Sequence, residues 1–162
     1  HALRALKLGM CALPRLVESQ LQCAQLRDQM AEASLLAGLS ISCTRTALCH
    51  SISYPLTAHF GVPHGLACAF SMPAVSKLNI EYVHARWGTL SGDWLISDLL
   101  GELKSLNSSL RVGELVKTKI PDFDALMKLT SEMVTPGRAE NNLAPVDQPT
   151  LLRILDESWN QI

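Results

Sequence analysis

The sequence predicts an all-α, helical-bundle fold, and three observations predict it. Apolar residues recur at intervals of three and four along most of the chain, no segment alternates convincingly with a period of two, and the β-branched residues are scattered. With 162 residues, 48% of them hydrophobic and 18% charged, the chain can bury one ordinary core. The expectation is a single helical domain over 1–162, without internal repeats or low-complexity tracts.

Each element has a local reason. From Ala2 to Glu18, the residues Leu3, Leu6, Met10, Leu13 and Leu16 share a helical face, and Pro14 must kink that helix or end a turn. From Leu21 to about Ser42 the helical period returns, with Arg27, Asp28 and Glu32 confined to the first half. The second half is therefore expected to be buried on nearly all sides, its small residues allowing close packing of helices. Ala47 to about Phe60 reads as a third helix stopped by Gly61. Pro63 suits the first turn of a fourth, which runs towards Tyr82 and bends at Pro73. Gly88 and Ser91-Gly92 mark loops, Asp93 is a plausible cap, and Trp94 to Leu106 is amphipathic with Leu95, Leu99, Leu100 and Leu103 inward. Shorter helices follow at Val112–Lys117 and Phe123–Met133. Pro136-Gly137 opens a polar loop, and Pro149 begins a last helix with Leu151, Leu152, Ile154, Leu155 and Trp159. The three Trp read as packing anchors.

Charge narrows the function classes. Fifteen acidic against fourteen basic residues, a formal net charge of −1, provide no field for a phosphate backbone or an anionic membrane, so nucleic acid is not the expected partner. The stretch Thr46–Ser76 has no Asp, Glu, Lys or Arg. Its three Pro, two Gly and three His break it into apolar runs shorter than the ~18 residues a membrane helix needs. Without a basic-then-apolar leader the expected compartment is the cytoplasm. Cys11, Cys23, Cys43, Cys49 and Cys68 form an odd set with no CxxC and read as reduced core thiols.

The residues that carry chemistry cluster in the same neutral stretch. His50 lies inside one helix and His64 in the first turn of the next, so a helical reversal aims both imidazoles at one point, which is metal-ligand geometry. A helix N-terminus disfavours imidazolium and keeps a lone pair on His64, and Gly65 leaves room for a ligand or a backbone to approach. A satisfied core pair is the other reading of the same two residues. Two histidines do not complete a catalytic site, which typically takes three protein ligands and often a carboxylate. The stretch has no carboxylate, and Asp28 and Glu32 lie on a solvated helix start, so the remaining ligands are expected from outside these residues. No glycine-rich turn follows a strand, so no cofactor-binding residue is assigned.

The run Ala37-Gly38-Leu39-Ser40-Ile41-Ser42, then His50, Pro55-Leu56, Gly61, Pro63-His64-Gly65, Ala67, Pro73-Ala74-Val75 and Asn79 resembles the signature of the iron-containing alcohol dehydrogenases. In that family a His opens the segment, a second stands four residues on and a third follows in Pro-His-Gly, the first and third binding the metal. The resemblance implies that His50 and His64, fourteen residues apart, are metal ligands. It extends to the opening helix and to Pro136–Asn142 with the final helix. The implied fold is the C-terminal metal-binding domain of a dehydroquinate synthase-like, iron-containing alcohol dehydrogenase architecture. The family's N-terminal α/β domain, with its pyrophosphate loop and the Asp and His that complete the metal site, is expected upstream. His1 falls too late to be that upstream ligand.

One departure concerns mechanism, because the family's middle His is Tyr54 here. Sharing a helix face with His50, Tyr54 is either a catalytic group that bonds the alcohol oxygen or relays a proton, or a core tyrosine. Thr44-Arg45-Thr46 and Ser53-Tyr54 resemble the branch that reduces phosphonoacetaldehyde to 2-hydroxyethylphosphonate, which places the chain in phosphonate metabolism. Arg45, the cation adjoining the neutral stretch on its N-terminal side, is then the substrate-binding residue for the phosphonate dianion, with a surface salt bridge as its other reading. His59 and His84 are expected near the surface, and Arg138 and Asn141-Asn142 are assigned no chemistry.

The resemblance therefore implies a metal-dependent oxidoreductase using Fe²⁺, with Zn²⁺ possible, and NADH or NADPH bound mainly by the N-terminal domain. The isolated chain is expected to be inactive. The expected partners are a small aldehyde or alcohol and further copies of the same protein in a homo-oligomer. Two alternatives stand beside this: a zinc-dependent, glycerol dehydrogenase-like polyol enzyme, and a non-catalytic helical fragment acting as an interaction module.

Overall fold

The computed structural model describes residues 1–87, 96–134 and 139–160. All regular structure among them is helical. The chain gathers into two compact units, His1–Arg45 and Thr46–Ile162.

The first unit is an antiparallel pair, α1 (Ala2–Glu18) and α2 (Ala24–Cys43). Pro14 lies inside α1, which continues through it to Glu18. The predicted stripe is only partly the buried one: Ala5, Ala12 and Leu16 are buried, whereas Leu3 and Leu6 are exposed. The small core is Ala12, Leu16 and Leu26, with Cys23 and Met30 packed on it. The expectation for the second half of α2 is corrected here. Ala33 is buried, but Leu35, Leu39 and Ile41 are exposed, because a helix with one partner in its unit covers one face only.

The second unit holds the main core. It comprises α3 (Leu48–Phe60), α4 (His64–Trp87), α5 (Ile96–Ser109), α6 (Val112–Lys117), α7 (Phe123–Met127), α8 (Thr130–Met133), a 3-10 turn at Ala139–Asn141 and α9 (Gln148–Asn160). Along α3 the residues Leu48, Ile52 and Leu56, each four apart, are fully buried and pack with Val62, Phe70, Val75, Val116, Leu126, Met133, Leu151 and Leu155. Gly61 ends α3 in the left-handed conformation, at φ 64°, a backbone state that a side chain disfavours. Its N–H closes the helix onto the Thr57 carbonyl at 3.1 Å. Pro63 then precedes α4 and its carbonyl accepts from Ala67 at 3.0 Å, so the chain reverses within a few residues. That reversal is what sets the site.

The predicted helix over Phe123–Met133 is two helices. Asp122 caps α7 by accepting from the Ala125 N–H at 2.7 Å, and Leu129, at φ −92° and ψ 0°, interrupts the run before α8. Asn142 and Asn79 pair through both amides, at 3.1 and 2.8 Å, and Asn79 also accepts from the Ala144 N–H at 3.1 Å. This amide clamp ties the loop before α9 to α4. Trp159 packs on Phe123 and beneath Lys117, as an anchor should. The expected features at Gly88–Leu95 and Pro136–Arg138, Trp94 among them, and the Trp87 side chain lie outside what the structure describes.

The cysteines depart from a uniform core reading. All five are free thiols, but Cys11 and Cys43 are exposed, Cys23 and Cys49 half-buried, and Cys68 buried. Among the described residues, no helix is long and apolar enough to cross a membrane.

Candidate metal centre

Helix α3 presents two faces of different chemistry. While Leu48, Ile52 and Leu56 face the core, His50 and Tyr54 stand four residues apart on another side, and Ser53 is fully buried between the two. The reversal at Gly61–Pro63 returns the chain so that His64, first residue of α4, meets that side. The ring centroids of His50 and His64 are 5.3 Å apart and tilted by 59°. Tyr54 stacks on His64 at 5.7 Å with the rings 26° from parallel. The structure thus brings together three of the four sequence-predicted site residues.

Two further residues complete the constellation. Cys68, one turn along α4 from His64, places its Sγ 3.7 Å from His64 Nε2. One ligand atom each from His50, His64 and Cys68 all lie within 4.8 Å of one another. The Ser53 hydroxyl lies 2.8 Å from the His50 carbonyl and 3.2 Å from His64 Nδ1. A hydroxyl has one proton to donate. Given to the carbonyl, it leaves the Ser53 oxygen to accept from His64 Nδ1–H, and His64 Nε2 then carries the lone pair. Neither Ser53 nor Cys68 was expected at the site from sequence. The available signal was spacing, since Ser53 follows His50 by three residues and Cys68 follows His64 by four.

The electrostatics suit neutral ligands. The His50 imidazole is held below its ordinary range, first by burial and then by the neighbouring His64, so it favours the form with a free lone pair. Burial pushes the Cys68 thiol upward. Two imidazole nitrogens beside a sulfur fit a borderline divalent ion better than a hard oxygen-seeking one, so these residues fit a resident transition metal.

The remaining candidates fall elsewhere. Arg45 is exposed and closes the first unit. His59 is exposed and paired with Glu132 at 2.9 Å, and His84 is exposed. Gly65 has open space where a side chain would begin, so these residues do not themselves demand glycine there. Asn141 donates to the Thr46 carbonyl at 3.3 Å and holds its loop. Cavities of about 400 and 550 Å³ are lined by residues such as Asn107 and Arg111, and Asn142 and Leu143, respectively. Neither wall includes His50, Tyr54 or His64. The histidine pair sits instead on a side where Tyr54 and His64 are exposed.

The chain is similar to known alcohol and aldehyde dehydrogenases and reductases. The chain is 28% identical to phosphonoacetaldehyde reductase of Streptomyces viridochromogenes over 83% of its length and 37% of the relative's. It is 31% identical to 1-propanol dehydrogenase PduQ of Citrobacter freundii over 86% of its length and 40% of the relative's. To NADPH-dependent butanol dehydrogenase of Clostridium saccharobutylicum it is 29% identical over 56% and 26%, respectively. The chain thus spans between a quarter and two fifths of the length of these relatives. The profile described as Fe-containing alcohol dehydrogenase family, C-terminal, matches residues 1–144, and by that match this protein belongs to that family.

Proposed function

We propose that the chain is the helical, metal-binding part of an iron-dependent, NAD(P)-linked alcohol dehydrogenase that reduces a small aldehyde, with phosphonoacetaldehyde, reduced to 2-hydroxyethylphosphonate, as the favoured substrate. The observation that carries the reading is the convergence of His50 and His64 across the Gly61–Pro63 reversal, with rings 5.3 Å apart. Fe²⁺, or Zn²⁺ in its place, would supply Lewis acidity towards the carbonyl oxygen, and a nicotinamide held mainly outside these residues would supply hydride.

The chain's own residues have separate tasks. His50 and His64 hold the ion through neutral nitrogens, and Ser53 orients His64 by accepting from Nδ1–H. Tyr54, stacked on His64, brings a phenol to the rim of the site, where it can donate to the substrate oxygen and take up or release its proton. Arg45 is the proposed grip for the phosphonate, because a guanidinium matches a phosphonate's oxygens in a fork that an ammonium cannot. The likeness to phosphonoacetaldehyde reductase supports this substrate. A homo-oligomer in the cytoplasm is part of the same reading.

The test follows Fe²⁺-dependent oxidation of NADH and NADPH by the full-length gene product, with phosphonoacetaldehyde, lactaldehyde and an unsubstituted aldehyde. Preference for the phosphonate, loss of turnover in His64→Ala and a raised KM in Arg45→Ala are the expected results. Equal rates on all three aldehydes would remove the phosphonate assignment, and no metal-dependent turnover on any would remove the dehydrogenase.

A further inference from the structure

We propose that the cavity of about 400 Å³ walled by α5 and α6 is a binding site for a small organic anion, a carboxylate or phosphate head on an apolar body. Its walls include none of His50, Tyr54 and His64, so the inference does not depend on the metal-site reading.

Four helices build this cavity. Lys104, Asn107 and Ser108 line it from α5, at i, i+3 and i+4 and therefore on one helical face. Arg111, at φ 52° and ψ 37°, turns the chain from α5 into α6, so both helices wall the same space. Phe70 of α4, Val112 of α6 and Ser158 of α9, none more than 3% exposed, close the floor. Asn107 donates to the Ala69 carbonyl at 2.6 Å, holding α5 against α4, and the Ser158 hydroxyl donates to the Ile154 carbonyl at 2.7 Å. With those donors committed, what the floor has for a bound molecule is apolar contact. The volume is that of a small-molecule site.

The charge on the walls sets the class of ligand. Arg111 donates from Nε and Nη2 to one oxygen of Glu114, the first at 2.8 Å, and the two charges of that pair cancel. Lys104 enters no ion pair among the described residues, so its ammonium leaves one positive charge on the wall. Ser105 and Ser108 add neutral donors. The Ser109 hydroxyl, on the same helix, donates back to the Leu106 carbonyl at 2.9 Å, whereas those of Ser105 and Ser108 make no hydrogen bond among the described residues. An anionic head can accept from an ammonium and from hydroxyls together, and the charge strengthens those bonds. A cationic head would be repelled by Lys104. Glu114 stands on the same wall, and its pairing with Arg111 keeps its carboxylate from opposing the anion.

Isothermal titration of the full-length gene product with benzoate, phenyl phosphate, inorganic phosphate and benzyl alcohol tests the site without any measurement of turnover. Saturable binding of benzoate or phenyl phosphate is expected, and the tighter of the two identifies the head. Inorganic phosphate lacks the body and benzyl alcohol lacks the charge, so each should bind at least about tenfold more weakly. Lys104→Ala should weaken the aryl anion by about 10- to 100-fold, the worth of a hydrogen bond to a charged group, and Lys104→Arg should restore much of it. Ser108→Trp fills the cavity and should abolish binding. Both positions are exposed, so neither change should move the thermal midpoint. Benzyl alcohol binding as tightly as benzoate would overturn the anionic class, and inorganic phosphate matching phenyl phosphate would overturn the part given to the floor. Aryl-anion binding that survives both Lys104→Ala and Ser108→Trp, or no saturable binding of either aryl anion, would overturn the site.

Discussion

Two neutral helical stretches, Ala33–Cys43 at the end of α2 and Leu48–Phe60 forming α3, make an instructive pair. Both lack Asp, Glu, Lys and Arg, and both are rich in apolar and small residues. In the first, Leu35, Leu39 and Ile41 are exposed; in the second, Leu48, Ile52 and Leu56 are completely buried. Composition alone does not decide burial. Helix α3 packs against α4, α8 and the turn Ala139–Asn141, whereas α2 packs within its unit against α1. The number of partners, rather than hydropathy, separates the two.

Truncating one leucine in each helix puts this contrast under the most strain. Leu56→Ala empties a fully buried position and is expected to cost about 2–5 kcal/mol. Leu39→Ala, at 44% exposure, should change stability by no more than about 0.5 kcal/mol. Urea denaturation of the two variants compares them directly, and equal losses would mean that Leu39 is covered in solution.

Thiols extend the comparison to pH. Cys49 in α3 has its pKa pushed up by burial from 9.0 to about 11, while Cys43 at the end of α2 is exposed. Between pH 9 and about 11 the unfolded chain has released the Cys49 proton and the folded chain has kept it. The stabilisation is therefore complete below pH 9 and lost as pH rises through about 11, on the order of 2 kcal/mol in all. Denaturation midpoints across that range should fall, and Cys49→Ala should remove this part of the slope. At pH 8 a thiol reagent should label Cys43 well before Cys49.

Serines refine it further. Ser42 and Ser53 both donate to the carbonyl three residues back, at 2.7 and 2.8 Å, but only Ser53 also meets His64. Ser53→Ala removes the hydroxyl that meets His64 Nδ1 at 3.2 Å and should weaken divalent-metal binding by about 10- to 100-fold, read by competition with a chromophoric chelator. Ser42→Ala should leave it unchanged. Small changes also belong to the exposed contacts Arg4–Glu32 at 2.5 Å and His59–Glu132 at 2.9 Å. Removing Arg4 or His59 should each cost less than about 1 kcal/mol, diminishing with salt.

Much of this architecture was legible in the sequence, for local reasons. The start of α1 at Ala2, α6 over Val112–Lys117 and the stop at Gly61 follow from periodicity and from one residue that tolerates positive φ. His50, Tyr54 and His64 were equally legible, because helical spacing and a short reversal fix where they point. The break at Leu129 was not, since nothing in Phe123–Met133 forbids a continuous helix and only packing divides it. Cys68 read as one more apolar thiol, and Ser53 entered only through the resemblance of Ser53-Tyr54, with no contact to His64 assigned to it.

The amino-acid order alone dictates the all-helical class and the main element boundaries, which depend on interactions within about four residues. Tertiary packing decides which neutral helix is covered, that Asn79 clamps Asn142 across 63 residues, and that Ser53 and Cys68 converge on His64. The physical reason is range. Backbone hydrogen bonds and turn conformations are set by neighbours along the chain, whereas burial, tautomer and ligand geometry are set by whatever the fold brings alongside.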